Sequence, residues 1–154
     1  MATYSTVKYS TKSSRVSDFC VLLLIILFCY AATSKLISLE LFRQQLLNQT
    51  IPAEVSRVLV YLLPGIELLA VGFLIYKPTR RLGLIAASLL MLAFTGYIAL
   101  VLLGFWDRIP CSCGGILNSM SWTAHLVFNL FFLAIALFAL IKTTTGQAEN
   151  LRKE

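Results

Sequence analysis

Four long apolar stretches, separated by short polar segments, dominate the pattern along this chain. The first runs from Phe19 to Ala32 and fades through Thr33, Ser34 and Lys35 to Leu39. The second runs from Val58 to Tyr76, the third from Leu82 to Trp106 and the fourth from Trp122 to Ile141. Each approaches the ~20 apolar residues that a bilayer-spanning helix needs. The pattern predicts an all-α integral membrane four-helix bundle. Residues 36–50 differ: Leu39, Phe42 and Leu46 recur at helical spacing with Arg43, Gln44 and Gln45 between them. That spacing suits a short amphipathic helix lying in the membrane interface. Thr50-Ile51-Pro52 then breaks the chain and starts the next helix. The connector Lys77-Pro78-Thr79-Arg80-Arg81 is so short that the second and third helices must form a tight antiparallel hairpin. Residues 1–17 and 143–154 are polar and are expected to be tails that fray, flanking a membrane domain over 18–142.

Composition supports this division. Apolar residues make up 58% of the chain and charged residues 13%, about half the charge of a typical soluble domain, which excludes a soluble globular class. The net charge of +6 forms no basic stripe with interleaved aromatics, so nucleic acid is not an expected partner; membrane lipid is. In a membrane protein a basic excess sets orientation instead. Nine Lys and Arg residues fall on the side of the two termini and the 77–81 connector, against Lys35, Arg43, Arg57 and Arg108 on the other. This places the termini in the cytoplasm of a bacterium, with the protein in the inner membrane. The amphipathic segment and the connection between the third and fourth helices then face the periplasm. The basic flank and short core of the first block also suit a signal peptide, with Ala31-Ala32 as the cleavage point; the block is expected to stay as a membrane helix. Phe28 is too bulky for the residue before a lipoprotein cysteine at Cys29.

The strongest chemical signal is Ile109-Pro110-Cys111-Ser112-Cys113-Gly114-Gly115-Ile116, where the third helix has left the membrane and the fourth has not begun. On the periplasmic side disulfides form and persist. Joining cysteines at i and i+2 closes a small constrained ring, and departures from relaxed geometry make a disulfide easier to reduce. Pro110 stiffens the entry, and Gly114-Gly115 removes side chains so that another protein's backbone can approach the sulfurs. Three readings stand side by side: a redox-active pair, a static bridge or free thiols pinning a turn, and a metal site of Cys111, Cys113 and His125. The last supplies soft ligands but only three of the four that a closed zinc site needs, unless Asp107 joins. Cys20 and Cys29 lie nine residues apart on one helix, about 13 Å along its axis, and read as inert packing.

Polar residues inside the apolar blocks form the second signal. Trp122, His125 and Asn129 share one face of the fourth helix, Tyr97 lies about two turns from the end of the third, and Lys35 closes the first. All belong to the outer half of the membrane, beneath the Cys111–Cys113 segment. Glu67 is deepest, near the middle. A lone charge there costs about 2.5–3.5 kcal/mol on insertion scales, so Glu67 needs a proton, a partner or water. Pro64 and Gly65, just before it, can open the helix ladder locally. Glu67 is either glue, hydrogen-bonded to Tyr97 or His125, or part of a proton relay or polar pocket coupled to the thiols.

With these residues in view, the chain resembles the MauE/DoxX group of small four-helix membrane proteins. The resemblance rests on Ser34-Lys35-Leu36, Phe42, Leu63-Pro64-Gly65-Ile66-Glu67, Tyr97, Cys111-Ser112-Cys113-Gly114-Gly115 and Trp122-Thr123-Ala124-His125-Leu126-Val127-Phe128-Asn129, and covers roughly residues 18–142. It implies a redox-associated membrane protein. MauE-type members are linked to methylamine utilisation, where they support maturation of a disulfide-rich periplasmic dehydrogenase beside a thioredoxin-fold protein. DoxX-type members are linked to thiosulfate and quinone chemistry. The fold is also similar to the four-helix core of vitamin K epoxide reductase-like proteins, which use Cys-x-x-Cys where this chain has Cys-x-Cys.

These strands give one favoured expectation: a membrane thiol-disulfide oxidoreductase. Cys111 and Cys113 would be the redox pair, with His125 promoting thiolate formation. Glu67 and Tyr97 would move or hold protons near a quinone pocket formed by Trp122, Asn129 and Lys35. Its periplasmic partner would be a thioredoxin-fold protein. The rival from another class is a non-catalytic subunit that anchors or assembles a larger membrane complex, its cysteines forming a structural bridge.

Overall fold

The computed structural model describes residues 15–49, 51–105 and 121–151, with side chains through 145. Cys111 and Cys113 lie outside the described residues. Five α-helices follow one another: α1 (Arg15–Ile37), α2 (Leu39–Leu47), α3 (Ala53–Ile75), α4 (Arg80–Leu102) and α5 (Trp122–Leu151), with a 3-10 turn at Lys77–Thr79 before α4. No strand occurs among the described residues. Four helices are long and apolar enough to cross a membrane. A helix of 23 residues, such as α1 or α3, is about 34 Å long, against a hydrocarbon core of ~30 Å. The protein is a multi-pass membrane protein, and its helices present many large apolar side chains outward, among them Phe19, Leu62, Leu89 and Phe131.

The long helices alternate in direction and pack as a ring, α1 on α3, α3 on α4, α4 on α5 and α5 back on α1. At the end of the 3-10 turn the interior is a close-packed apolar cluster. Val21, Leu24 and Phe28 of α1 meet Leu74 of α3, Leu84, Ala87 and Met91 of α4, and Ala136 and Ala139 of α5. The two alanines are fully buried; their small size lets α5 approach closely there. At the opposite end a second cluster seats Phe42 and Leu46 of α2 against Val60 of α3. The interior between these clusters is not filled.

Local chemistry fixes the turns. Thr79 Oγ1 donates to the carbonyls of Phe73 and Tyr76, each at 3.2 Å, and Arg80 Nε donates to Leu74 O at 3.4 Å. The bonds to Phe73 and Leu74 satisfy carbonyls that the end of α3 leaves unpaired. Arg80 also pairs with Asp18 at 2.7 Å, pinning the start of α1 to the hairpin. The hairpin is tight because Gly83 has no side chain: a Cβ there would lie 2.7 Å from Leu74 N and 2.8 Å from Phe73 C.

Two boundaries differ from the pattern-based expectation. α1 begins at Arg15 rather than after residue 17, and α5 continues to Leu151 rather than ending near Lys142. Thr143, Thr144 and Thr145 turn their hydroxyls back onto the carbonyls of Ala139, Leu140 and Ile141, at 2.8, 3.1 and 3.0 Å. A polar stretch is thus accommodated in a helix by its own backbone. α3 runs unbroken through Pro64. Pro64 has no N–H to offer the Val60 carbonyl.

Candidate functional site

The unfilled space is a cavity of about 310 Å³ between the four long helices and beneath α2, within the size range of small-molecule sites. Lys35, Glu67, Tyr97, Trp122, His125 and Asn129 all line it. Sequence position alone had singled out each of the six, and the fold brings them together from four helices.

Each is placed by its helix. α1 rises toward α2 while α3 descends from it, so Lys35 and Glu67 come level on neighbouring helices. Lys35 Nζ donates to Glu67 Oε1 at 2.8 Å and Oε2 at 3.1 Å, and to Ala31 O at 3.3 Å. The Phe42 ring of α2 lies 5.9 Å from the ammonium, measured to its centroid, close enough for a cation–π contact. The partner expected for Glu67 was Tyr97 or His125; it is Lys35. The Lys stem reaches back from the end of α1 into the bundle, an option that its position near the helix end concealed. The pair is asymmetric. The Glu67 side chain is 1% exposed and that of Lys35 is 16%, so the acid is the more deeply buried partner, and both line the cavity.

Tyr97 on α4 is engaged elsewhere: its hydroxyl donates to Gln49 Oε1. Gln49 is buried just after α2 and lines the same cavity. Sequence reasoning missed Gln49, because a glutamine beside a chain break ordinarily faces water. It also missed Ser56, whose fully buried Oγ donates to Leu46 O at 3.1 Å and clamps the end of α2 to the first turn of α3.

On the fourth wall, Ser121 caps α5. Its Oγ accepts from Ala124 N–H at 3.2 Å, and its carbonyl accepts from His125 N–H at 3.0 Å. Trp122, His125 and Asn129 therefore start at a fixed register on the cavity side. Asn129 is buried and donates from Nδ2 to His125 O at 3.0 Å. Among the described residues the His125 ring makes no hydrogen bond, and it lines the cavity. The remaining wall is largely apolar and includes the rings of Phe28, Tyr30, Phe42, Phe94 and Phe128.

Of the two sequence signals, the membrane polar set is thus a structural cluster, while the Cys111–Cys113 segment falls outside the described residues. His125 is the described member of the metal triple considered above, and among the described residues no three His, Cys, Asp or Glu converge on a metal-sized site. Cys20 is buried and Cys29 half-buried, both as free thiols. Both pack in or against the apolar cluster at the hairpin end.

The family model described as methylamine utilisation protein MauE matches residues 13–142. The methylamine utilization protein MauE of Paracoccus denitrificans is 33% identical over 119 residues, which cover 73% of this chain and 64% of that relative. The chain therefore spans just under two thirds of the relative's length. No solved structure matches it. The cavity-lining residues, from Leu27 to Asn129, fall inside the matched span, and the chain belongs to the MauE family of membrane proteins.

Proposed function

We propose that this protein serves methylamine utilisation, the process named for its Paracoccus relative, by exchanging electrons between periplasmic thiols and a carrier dissolved in the inner membrane. One observation carries the reading. Lys35, Glu67, Tyr97, Trp122, His125 and Asn129 line one cavity, and that cavity lies at the end of the bundle where α4 finishes and α5 starts. The connection between those two ends holds Cys111 and Cys113.

The chemistry is a two-electron exchange. A thiolate of a thioredoxin-fold partner attacks the Cys111–Cys113 disulfide, forming a mixed disulfide that the partner's second thiol resolves. The partner becomes oxidised and the Cys111/Cys113 pair becomes a dithiol. That dithiol returns two electrons and two protons to a quinone, giving a quinol and regenerating the disulfide; the reverse sequence balances equally well. His125, one turn into α5, promotes thiolate formation in the connection above it. Tyr97 and His125 hold or move protons at the cavity wall, and Glu67 holds Lys35 in place.

Trapping tests the exchange. In Cys111→Ser and Cys113→Ser, one variant should accumulate a covalent adduct with a periplasmic thioredoxin-fold protein, seen on a non-reducing gel and lost on reduction. If both variants stay folded in the membrane and neither traps a partner, the protein is an anchoring or assembly subunit instead. Joint loss of bound metal in both variants and in His125→Ala would make the site a metal centre.

A further inference from the structure

The charges of this protein are paired at one end of the bundle and largely unpaired at the other. At the α2 end Lys35 pairs with Glu67 at 2.8 Å, Arg43 with Glu40 at 3.6 Å and Arg57 with Glu54 at 3.2 Å. At the hairpin end Arg80 takes Asp18, and among the described residues Arg15, Lys77, Arg81 and Lys142 make no ion pair. The sequence as a whole repeats the division. Glu40, Glu54, Glu67 and Asp107 match the four cations of the α2 side, so the net charge of +6 belongs to the hairpin side.

Three of the unpaired cations are exposed and sit where the outward apolar surface ends. Lys77 follows Ile75 and Tyr76, Arg81 precedes Leu82 and Ile85, and Lys142 follows Phe138 and Ile141, all six of them large exposed apolar side chains. A tyrosine at such a boundary suits the headgroup level of a bilayer. Lys142 is turned back along its helix: its Nζ lies 5.8 Å from the centroid of the Phe138 ring, one turn nearer the middle of the membrane. A lysine near a helix end ordinarily extends toward water instead. Cations at this level lie beside the phosphates of a leaflet, whereas a soluble acidic protein would meet charges raised above the last apolar turn.

We propose that Lys77, Arg81 and Lys142 form a binding surface for anionic phospholipid, the phosphodiester of a phosphatidylglycerol-type headgroup, in the leaflet at the hairpin end. The attraction comes from charge density: each Lys or Arg near an anionic surface adds to it, and salt screens it. Asp18, the acid that would oppose it there, is already taken by Arg80. The surface is separate from the cavity and needs no thiol chemistry.

For the test, the protein is reconstituted into dioleoylphosphatidylcholine vesicles and probed with phosphatidylglycerol or phosphatidylcholine spin-labelled near the end of one chain. The motionally restricted fraction gives the relative association of the two lipids. At low salt phosphatidylglycerol should be favoured about two- to fivefold over the lipid shell, and the preference should shrink as NaCl rises from about 20 to about 500 mM. Lys77→Gln, Arg81→Gln and Lys142→Gln should each lower it in part, and the three together should remove most of it. Replacing both members of the Glu40–Arg43 and Glu54–Arg57 pairs with Gln leaves the net charge unchanged and should not alter it. Equal association of the two lipids at low salt overturns the proposal and leaves these cations to an acidic protein. A preference undiminished in the triple variant overturns it too, since the charge responsible would then lie in the polar tails. So does loss of the preference on adding inorganic phosphate to about 10 mM at constant ionic strength, which would make the ligand a free anion. The single variants carry the test should the triple variant fail to insert: three unchanged ratios reject the surface.

Discussion

Lys35 of α1 and Glu67 of α3 are 32 positions apart in the chain and 2.8 Å apart in space. Between two apolar helices, each charge makes the other tolerable: a buried ion stripped of its partner costs far more than the pair gains. The contact joins α1 to α3 just below α2 and forms one wall of the cavity. It therefore ties the two helices together at the cavity wall.

Removing one charge should be more damaging than removing both. Glu67→Gln alone, or Lys35→Met alone, is expected to destabilise the protein by about 3–5 kcal/mol, the cost of an uncompensated buried ion, whereas the double apolar replacement should recover most of that loss. Thermal unfolding in detergent micelles, arranged as a double-mutant cycle, measures the coupling. Additive single effects would show that the two side chains do not act as a unit.

The α3–α4 hairpin offers a test free of charge effects. Gly83 sits where a Cβ would meet the Leu74 and Phe73 backbone at 2.7 and 2.8 Å, while Gly96, on the same helix, has nothing within 4 Å of that position. Backbone cannot move aside as a side chain can, so Gly83→Ala should cost about 1–3 kcal/mol. Gly96→Ala should be neutral or stabilising by up to about 1 kcal/mol, since alanine is the better helix former. Melting temperatures of the two variants in the same detergent decide the point; equal shifts would mean that the helices do not approach this closely.

How far the sequence discloses this arrangement depends on what lipid demands. A bilayer requires apolar blocks of a fixed length, so the four long helices and their alternation can be read directly from the pattern, and the spacing of Phe42 and Leu46 announces the buried face of α2. The need of Glu67 for a partner is also legible, because an isolated carboxylate at that depth is costly. Which partner it takes is not. Sequence gives the depth of a residue along its own helix, but not the rotation and offset of one helix against the next, and it gives no measure of how far a lysine stem reaches inward. The link from Tyr97 to Gln49 is hidden for a related reason: one end is in a connecting segment, where glutamine usually meets solvent. The continuation of α5 through Thr143, Thr144 and Thr145 is hidden because β-branched polar residues read as helix-ending until their hydroxyls find the preceding carbonyls.

Orientation in the membrane is set by the Lys and Arg distribution. The start of α1, the Lys77–Thr79 turn and the end of α5 lie at one end of the bundle, and nine of the 13 Lys and Arg residues fall on that side. We propose, on the positive-inside rule, that this end faces the cytoplasm. A periplasm-active phosphatase fused after Gly115 should be active and the same fusion after Thr79 inactive. The opposite pattern would invert the protein and remove Cys111 and Cys113 from the oxidising compartment.

The last prediction concerns the cover of the cavity. Among the contacts that hold α2 down are the packing of Phe42 and Leu46 against Val60, the bond from Ser56 Oγ to Leu46 O, and the bond from Tyr97 to Gln49 just beyond the helix. Of these, the last ties the α2 segment to α4, beside the cavity. Tyr97→Phe removes a hydroxyl without changing the ring, so the aromatic wall and the apolar cluster at the hairpin end should be undisturbed. A buried hydrogen bond contributes about 0.5–1.5 kcal/mol net, and because local opening reports local stability, amide exchange over residues 39–49 should quicken by about two- to tenfold. Exchange over residues 20–28, which pack in the distant cluster, should not change. Combining Tyr97→Phe with Gln49→Leu should add less than the sum of the two single effects, since both remove the same bond. Exchange that is unchanged over 39–49 would show that packing and Ser56 suffice to seat α2, and that the contact with α4 does not govern access to the space beneath it.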